Sequence, residues 1–231
     1  RDFRAHSVAF FFYPLLENHT RSSFEIFGYS NVKFCDGVTE QFKGKFDHWR
    51  DISYLDDHAA AKTVFDDRID ILVDLGGHST GNRLGVFARR PAPVQVTYLG
   101  YPDTTGLTGM DYRLTDRNAE SDDAQQYYTE ELLYLDNAFL CWQPVDIAGD
   151  VADLPAVKNG YITFGSFNNS CKINDITISL WVSVLKACKD SRLVLKFPGG
   201  DDPGVQEIFC KKFEAHSVDR NSITFFGWVD D

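Results

Sequence analysis

The sequence predicts an α/β fold with parallel sheets, arranged as two Rossmann-like lobes of which the second is incomplete. Three observations carry this. Strand-like runs alternate with helical patterns along the chain. "IDILVDL" (69–75) is almost continuously apolar, as in a strand covered on both faces. A stretch rich in prolines, glycines and acids, "CWQPVDIAGDVADLPAVKNG" (141–160), separates two βα series without periodicity of its own.

Taken in order, "FEIFGYS" (24–30) reads as a strand and "DDHAAAKTVFDD" (56–67) as a helix opened by Asp. After the strand at 69–75, "GNRLGVFARR" (81–90) reads as a helix stopped by Pro91 and Pro93. "VQVTYL" (94–99), "DYRLTD" (111–116) and "ELLYL" (131–135) complete the first series as strands. Residues 1–140 thus form the first lobe, 141–160 the linker and 161–231 the opening part of the second lobe. In the latter, "YITFGSF" (161–167), "RLVLKF" (192–197) and "SITFFG" (222–227) are strands. "DITISLWVSVLKACK" (175–189) is an amphipathic helix with Asp175 as its N-cap, and Ile176, Leu180, Trp181, Val184, Leu185 and Cys188 recur at helical spacing. "GVQEIFCKKFEAH" (204–216) is the helix that follows.

Bulk properties exclude several classes. With 43% hydrophobic residues and 19 Phe the chain can bury a core. A net charge of −11 argues against a non-specific grip on nucleic acid. Five widely spaced cysteines without C-x-x-C fit a reducing cytoplasmic setting rather than a disulfide framework or a zinc knuckle. No apolar run approaches the ~20 residues of a membrane span, and "RDFRAHS" has no signal-peptide pattern. Both ends read as cut, and the expectation is a piece of a longer protein.

Ligands of open α/β sheets bind beyond the carboxyl ends of the strands. Here those ends are "DLGGHSTG", "LGYPDTTG", "FGSFNNSCKIND", "FPGGDDPG" and "FGWVDD", all rich in Gly, Ser, Thr, Asn or Asp. Glycine lets a backbone amide approach an anion, and hydroxyls and amides pair with sugar oxygens, although βα turns require glycine in any case. Lys172 stands just before a helix start, where an ammonium and free N–H groups both favour pyrophosphate; the alternative is a solvated turn lysine. His6, and with it Asp2, either orients a substrate or sits satisfied at a helix start. His78 is a turn or a cleft residue, and His48 is structural. There is no G-x-G-x-x-G, no Walker A loop and no G-x-S-x-G elbow, which disfavours nicotinamide, P-loop and hydrolase chemistry. There is no D-x-D pair to anchor a metal-bridged sugar nucleotide.

"DFRAHSVAFFFYPLLENH", "DILVDLGGHSTGNRLGVFARRPAPVQVTYLGYPDTTGLTGMDYRLTD" and "ITFGSFNNSCKI" strongly resemble the catalytic region of the O-linked N-acetylglucosamine transferase family, in its SPINDLY-like branch. The resemblance covers nearly the whole chain. It implies a GT-B fold with a cleft between two lobes. It also implies inverting, metal-independent transfer of a sugar from a nucleotide diphosphate, with no cofactor, to Ser or Thr of acceptor proteins. UDP-GlcNAc is the expected donor. GDP-fucose is the alternative, and a non-catalytic scaffold of the same fold is a second one. Tetratricopeptide repeats are expected upstream, and neither nucleic acid nor membrane is an expected partner.

By the same resemblance, Asp2, His6 and Lys172 are the catalytic candidates. His6 contacts the sugar or diphosphate, Asp2 has been considered as a proton acceptor, and Lys172 neutralises the leaving group. Leu99, Gly100, Thr104, Thr105, Asn169 and Lys172 are the donor-binding candidates, and no residue is assigned to a metal. The family's strand ahead of "RDFRAHS" and its later nucleotide-binding segment lie outside these residues, so the expectation is an inactive fragment of an active protein.

Overall fold

The structure, a computed structural model, describes residues 1–143 and 149–229. Residues 144–148 of the 141–160 linker, and the two aspartates closing "FGWVDD", lie outside the described residues. The chain divides into two compact units, Arg1–Ala148 and Gly149–Asp231.

The first unit opens with helix α1 (Ser7–Asn18), then strand β1 (Phe27–Ser30), α2 (Gly37–Lys43), β2 (His48–Asp51) and α3 (Asp57–Asp66). β3 (Ile71–Asp74), α4 (Leu84–Phe87), β4 (Val94–Thr97), β5 (Tyr112–Thr115) and β6 (Glu131–Tyr134) follow. β1 pairs in parallel with β2, and β3-β4-β5-β6 form a four-stranded parallel sheet in chain order. Asp56 caps α3 by accepting from the Ala59 N–H at 2.7 Å, and Ala60, Ala61 and Val64 turn inward against Leu72 of β3 and Leu84, Val86 and Phe87 of α4. α1 and α2 close a second cluster around Phe3, Leu16 and Phe42.

Two expectations change here. β3 is covered on one face only: Leu72 and Asp74 are buried, while Ile71 and Val73 are exposed and line a cavity of about 360 Å³ with Phe12, Leu15 and Phe27. A continuous apolar run therefore reflects a half-open strand here. The helix read over 81–90 is a single turn, Leu84–Phe87. Gly81 and Arg90, three residues outside it on either side, take positive φ, at +73° and +49°, through which a right-handed helix does not continue.

The second unit carries α5 (Pro155–Asn159), within the stretch read as linker, then β7 (Thr163–Ser166), α6 (Asp175–Ala187), β8 (Arg192–Lys196), α7 (Pro203–Glu214) and β9 (Ile223–Phe226). β7, β8 and β9 pair in parallel, in that order. Asn174, not Asp175, caps α6, accepting from the Thr177 N–H at 2.9 Å. Asp175 is the first helical residue and pairs with Lys212 at 2.7 Å. The inward face of α6 also differs from the expected one. Ile178 and Val182 are buried, with Trp181 and Leu185 beside them, whereas Ile176, Leu180 and Val184 face outward. α6 is apolar on two adjacent stripes, and helical spacing alone does not say which one meets the sheet.

Among the described residues no helix is long and apolar enough to cross a membrane. All five cysteines are free thiols.

Candidate active site

In the first unit the carboxyl ends of β3 and β4 are each followed by a turn, and the two turns interlock. Asp74, the last residue of β3, is buried and accepts from the N–H groups of Gly76 (3.1 Å) and Gly77 (2.8 Å) and from the Thr97 hydroxyl (2.9 Å). Burial pushes its carboxyl above the usual aspartate range despite these bonds, and the neighbouring charge of Asp2 adds to the rise.

Gly100 lies so close to the Leu75 carbonyl that a Cβ would stand 2.1 Å from its oxygen and 3.1 Å from Val8 Cγ2. Leu99, just before it, holds a left-handed φ of +80°. Gly77 takes φ +48°, with the Tyr101 side chain occupying the space a Cβ would need. His78 Nε2 donates to the Thr105 carbonyl at 2.8 Å, and its ring meets Tyr101 edge-on. His78 thus joins the two turns.

Asp2 and His6 come to this place on the segment that enters α1. His6 is the N-cap, with extended φ of −156°, and its Nδ1 accepts from the Val8 N–H at 3.3 Å. That bond leaves the ring proton on Nε2, and the ring is half-buried. Asp2 is buried; its Oδ1 lies 3.5 Å from His6 Nδ1 and has no hydrogen-bond partner among the described residues. A Cβ on Gly76 would stand 3.8 Å from Asp74 Oδ1 and 3.9 Å from Asp2 Oδ2. Asp2, His6, Asp74 and Gly100 therefore gather at the ends of β3 and β4.

Thr104 and Thr105 are turned elsewhere. Thr105 is buried, and its hydroxyl and N–H (2.7 Å) both donate to Glu130 Oε1, while the Thr104 hydroxyl donates to Glu130 Oε2 at 2.7 Å. Burial raises the Glu130 carboxyl, but the bonds from Thr105 and Thr104 outweigh it and hold it below the usual glutamate range. Asp74, Arg113 and Glu130 were not singled out in the sequence. Their only signal there is a charge set among strand residues, in "ILVD", "DYRLTD" and "TEELLYL".

In the second unit, Asn169 opens a 3₁₀ turn, Ser170–Lys172, accepting from the Cys171 N–H at 3.1 Å through its side-chain oxygen. Among the described residues its amide NH₂ donates to no protein atom. Lys172 is exposed at the end of this turn, two residues before the cap of α6. Among the described residues no carboxylate lies within ion-pair distance of it, whereas Lys212 is held by Asp175. Asp175 already places negative charge at the α6 N-terminus, so an anion there would depend on Lys172 more than on the helix dipole. Among the described residues no group of three His, Cys, Asp or Glu could hold a metal.

Known proteins resemble this chain at several levels. The chain is 45% identical over 199 residues to a rice protein named as a probable UDP-N-acetylglucosamine–peptide N-acetylglucosaminyltransferase SPINDLY, covering 84% of this chain and 22% of the relative. The SPINDLY protein of Arabidopsis thaliana, similarly named, is 41% identical over 96% of this chain and 23% of its own length. The chain thus spans about a fifth of the length of the relatives it matches. A solved lysine-to-methionine mutant of Thermobaculum terrenum O-GlcNAc transferase superposes with a TM-score of 0.88 at 35% identity, over 99% of this chain and 44% of that one. The fold is accordingly α/β and GT-B-like, built from Rossmann-like units with parallel sheets. Residues 1–148 match the family described as glycosyl transferase family 41, and the chain belongs to that family.

Proposed function

We propose that this chain is part of a protein O-glycosyltransferase that moves N-acetylglucosamine from UDP-GlcNAc to Ser or Thr hydroxyls of acceptor proteins, inverting the anomeric centre without a metal or cofactor. The observation that carries this reading is the juxtaposition of Asp2 and His6, 3.5 Å apart, at the interlocked turns after β3 and β4, in a chain of glycosyl transferase family 41. The names of the relatives support the donor and the peptide acceptor.

In this reading the acceptor hydroxyl attacks the anomeric carbon from the face opposite the diphosphate. The bond from that carbon to the phosphate oxygen breaks, and negative charge builds on the oxygen that leaves. Lys172, free of any carboxylate partner among the described residues, meets that charge; Asn169 offers its NH₂ to the nucleotide. His6 presents Nε2–H to the donor, because its Nδ1 is engaged by α1. Asp2 is the candidate acceptor of the hydroxyl proton. Leu99 and Gly100 pack on the donor sugar through the loop backbone. The geometry supports a supporting role for Thr104 and Thr105, whose hydroxyls are engaged by Glu130.

Thermal shift of the full-length protein with UDP and with GDP tests the donor. Stabilisation by UDP and peptide glycosylation that survives EDTA are expected. Stabilisation by GDP alone would move the donor to GDP-fucose, and no shift with either would leave a non-catalytic module.

A further inference from the structure

We infer that Glu130 and Arg113 are positioning residues for the sugar-contacting loop Leu99–Gly106, an inference that rests on the donor reading above. Both are charged, both are essentially inaccessible at 0% and 2% exposure, and the reaction as proposed uses neither. Burying an ionised group is costly unless its hydrogen bonds are met, and a surface turn could be satisfied by water. Here two buried charges meet one loop from beneath.

Their contacts are complementary. Arg113, on β5, donates through one guanidinium nitrogen to the carbonyls of Tyr101 (2.8 Å) and Asp103 (3.4 Å). Its guanidinium stands 5.5 Å from the centre of the Tyr128 ring, and its Nε lies 3.8 Å from Glu120 Oε1. Glu130, the residue just before β6, accepts from the next two residues of the loop: the hydroxyls of Thr104 and Thr105 and the N–H of Thr105. The cation thus takes acceptors at 101 and 103, and the anion takes donors at 104 and 105.

The rest of the loop is confined from the side. Gly100 is pressed on the Leu75 carbonyl, and His78 holds the Thr105 carbonyl. Among the described residues the N–H groups of Leu99, Tyr101 and Asp103 donate to no protein atom. The buried charges therefore fix the loop in a shape whose remaining backbone donors are free for a ligand. Leu99, held at φ +80°, is a conformation such outside constraint would be needed to keep.

The test uses the full-length protein and the variants Glu130→Ala, Glu130→Gln, Arg113→Met and Thr105→Val. Glu130→Ala is expected to lower kcat/KM for the sugar nucleotide by about 100-fold, the loss that a displacement of roughly 1 Å brings. The Kd for free UDP or GDP should not change, and amide exchange at Thr105 and its neighbours should quicken. Glu130→Gln retains an acceptor for Thr105 and should restore most of the rate. Arg113→Met should behave like Glu130→Ala. If Glu130→Ala does not fold, Thr105→Val removes one of the same bonds and is read in the same way. A folded Glu130→Ala with wild-type kcat/KM overturns the inference, as does an equal loss of nucleotide affinity. A wild-type protein that neither binds nor turns over a sugar nucleotide overturns the donor reading, and the inference with it.

Discussion

Glu130 Oε1 accepts from both the N–H and the hydroxyl of Thr105, a residue 25 positions earlier in the chain. Through this contact and that of Thr104 the β4–β5 loop rests on the residue that leads into β6, and both threonine hydroxyls are drawn inward.

That contact makes a pH prediction. Burial alone would raise Glu130, yet its hydrogen bonds hold it below the ordinary glutamate value of 4.5. With a depressed folded value, the unfolded chain takes up the proton first. The contribution of Glu130 is then complete above the unfolded value and is lost as pH falls through the folded one. Wild type should exceed Glu130→Gln in stability at neutral pH, and the gap should close on acidification below about pH 4.5. Urea midpoints from pH 7 to pH 3 would check this; a gap independent of pH would contradict it.

Lys172→Ala in the full-length protein should lower kcat by two to three decades, because a preorganised charge on a leaving group contributes roughly 3–4 kcal/mol. Steady-state kinetics decide the point, and a fall of less than about threefold would remove Lys172 from the mechanism.

His6 has an observed job, capping α1, and a proposed one at the donor, and substitution can separate them. As the N-cap of α1 it accepts from Val8, and losing a cap costs about 1 kcal/mol. His6→Ala should lower both stability and activity. His6→Asn supplies a cap but no Nε2–H in the same place, so it should keep the melting temperature and lose activity. Equal activity in His6→Asn and wild type would confine His6 to capping.

Gly100→Ala places a methyl 2.1 Å from the Leu75 carbonyl oxygen, a backbone atom with little freedom to move. Overpacking of this kind costs about 1–3 kcal/mol. Gly37, the first residue of α2, has nothing within 4 Å of an added Cβ, so Gly37→Ala should gain roughly 0.4–1 kcal/mol. Denaturant unfolding of the two variants should show opposite signs.

Much of this was legible locally. The β3, β4, β5 and β6 strands fall within the runs read from 69–75, 94–99, 111–116 and 131–135, and Asp56 stands where a helix opener was expected. The β-forming runs and the capping aspartate act over a few residues, so a short window contains their cause. α1 and α2 escaped assignment. "SVAFFFYPLLEN" is apolar almost throughout and contains Pro14, so neither its pattern nor its composition marks it as a helix.

The sequence by itself determined the strands β3 to β6 and β7 to β9, the two βα series and the positions of the strand-end loops, because each follows from local spacing and turn chemistry. Only the tertiary structure decided that Ile178 and Val182 form the inner stripe of α6, that β3 keeps an open face, and that Thr104 and Thr105 answer to Glu130 while Asp74 closes the turn beside Asp2. Those outcomes depend on which groups lose water to which neighbours. Partners brought together from 25 or 70 residues apart leave no periodic trace in the chain.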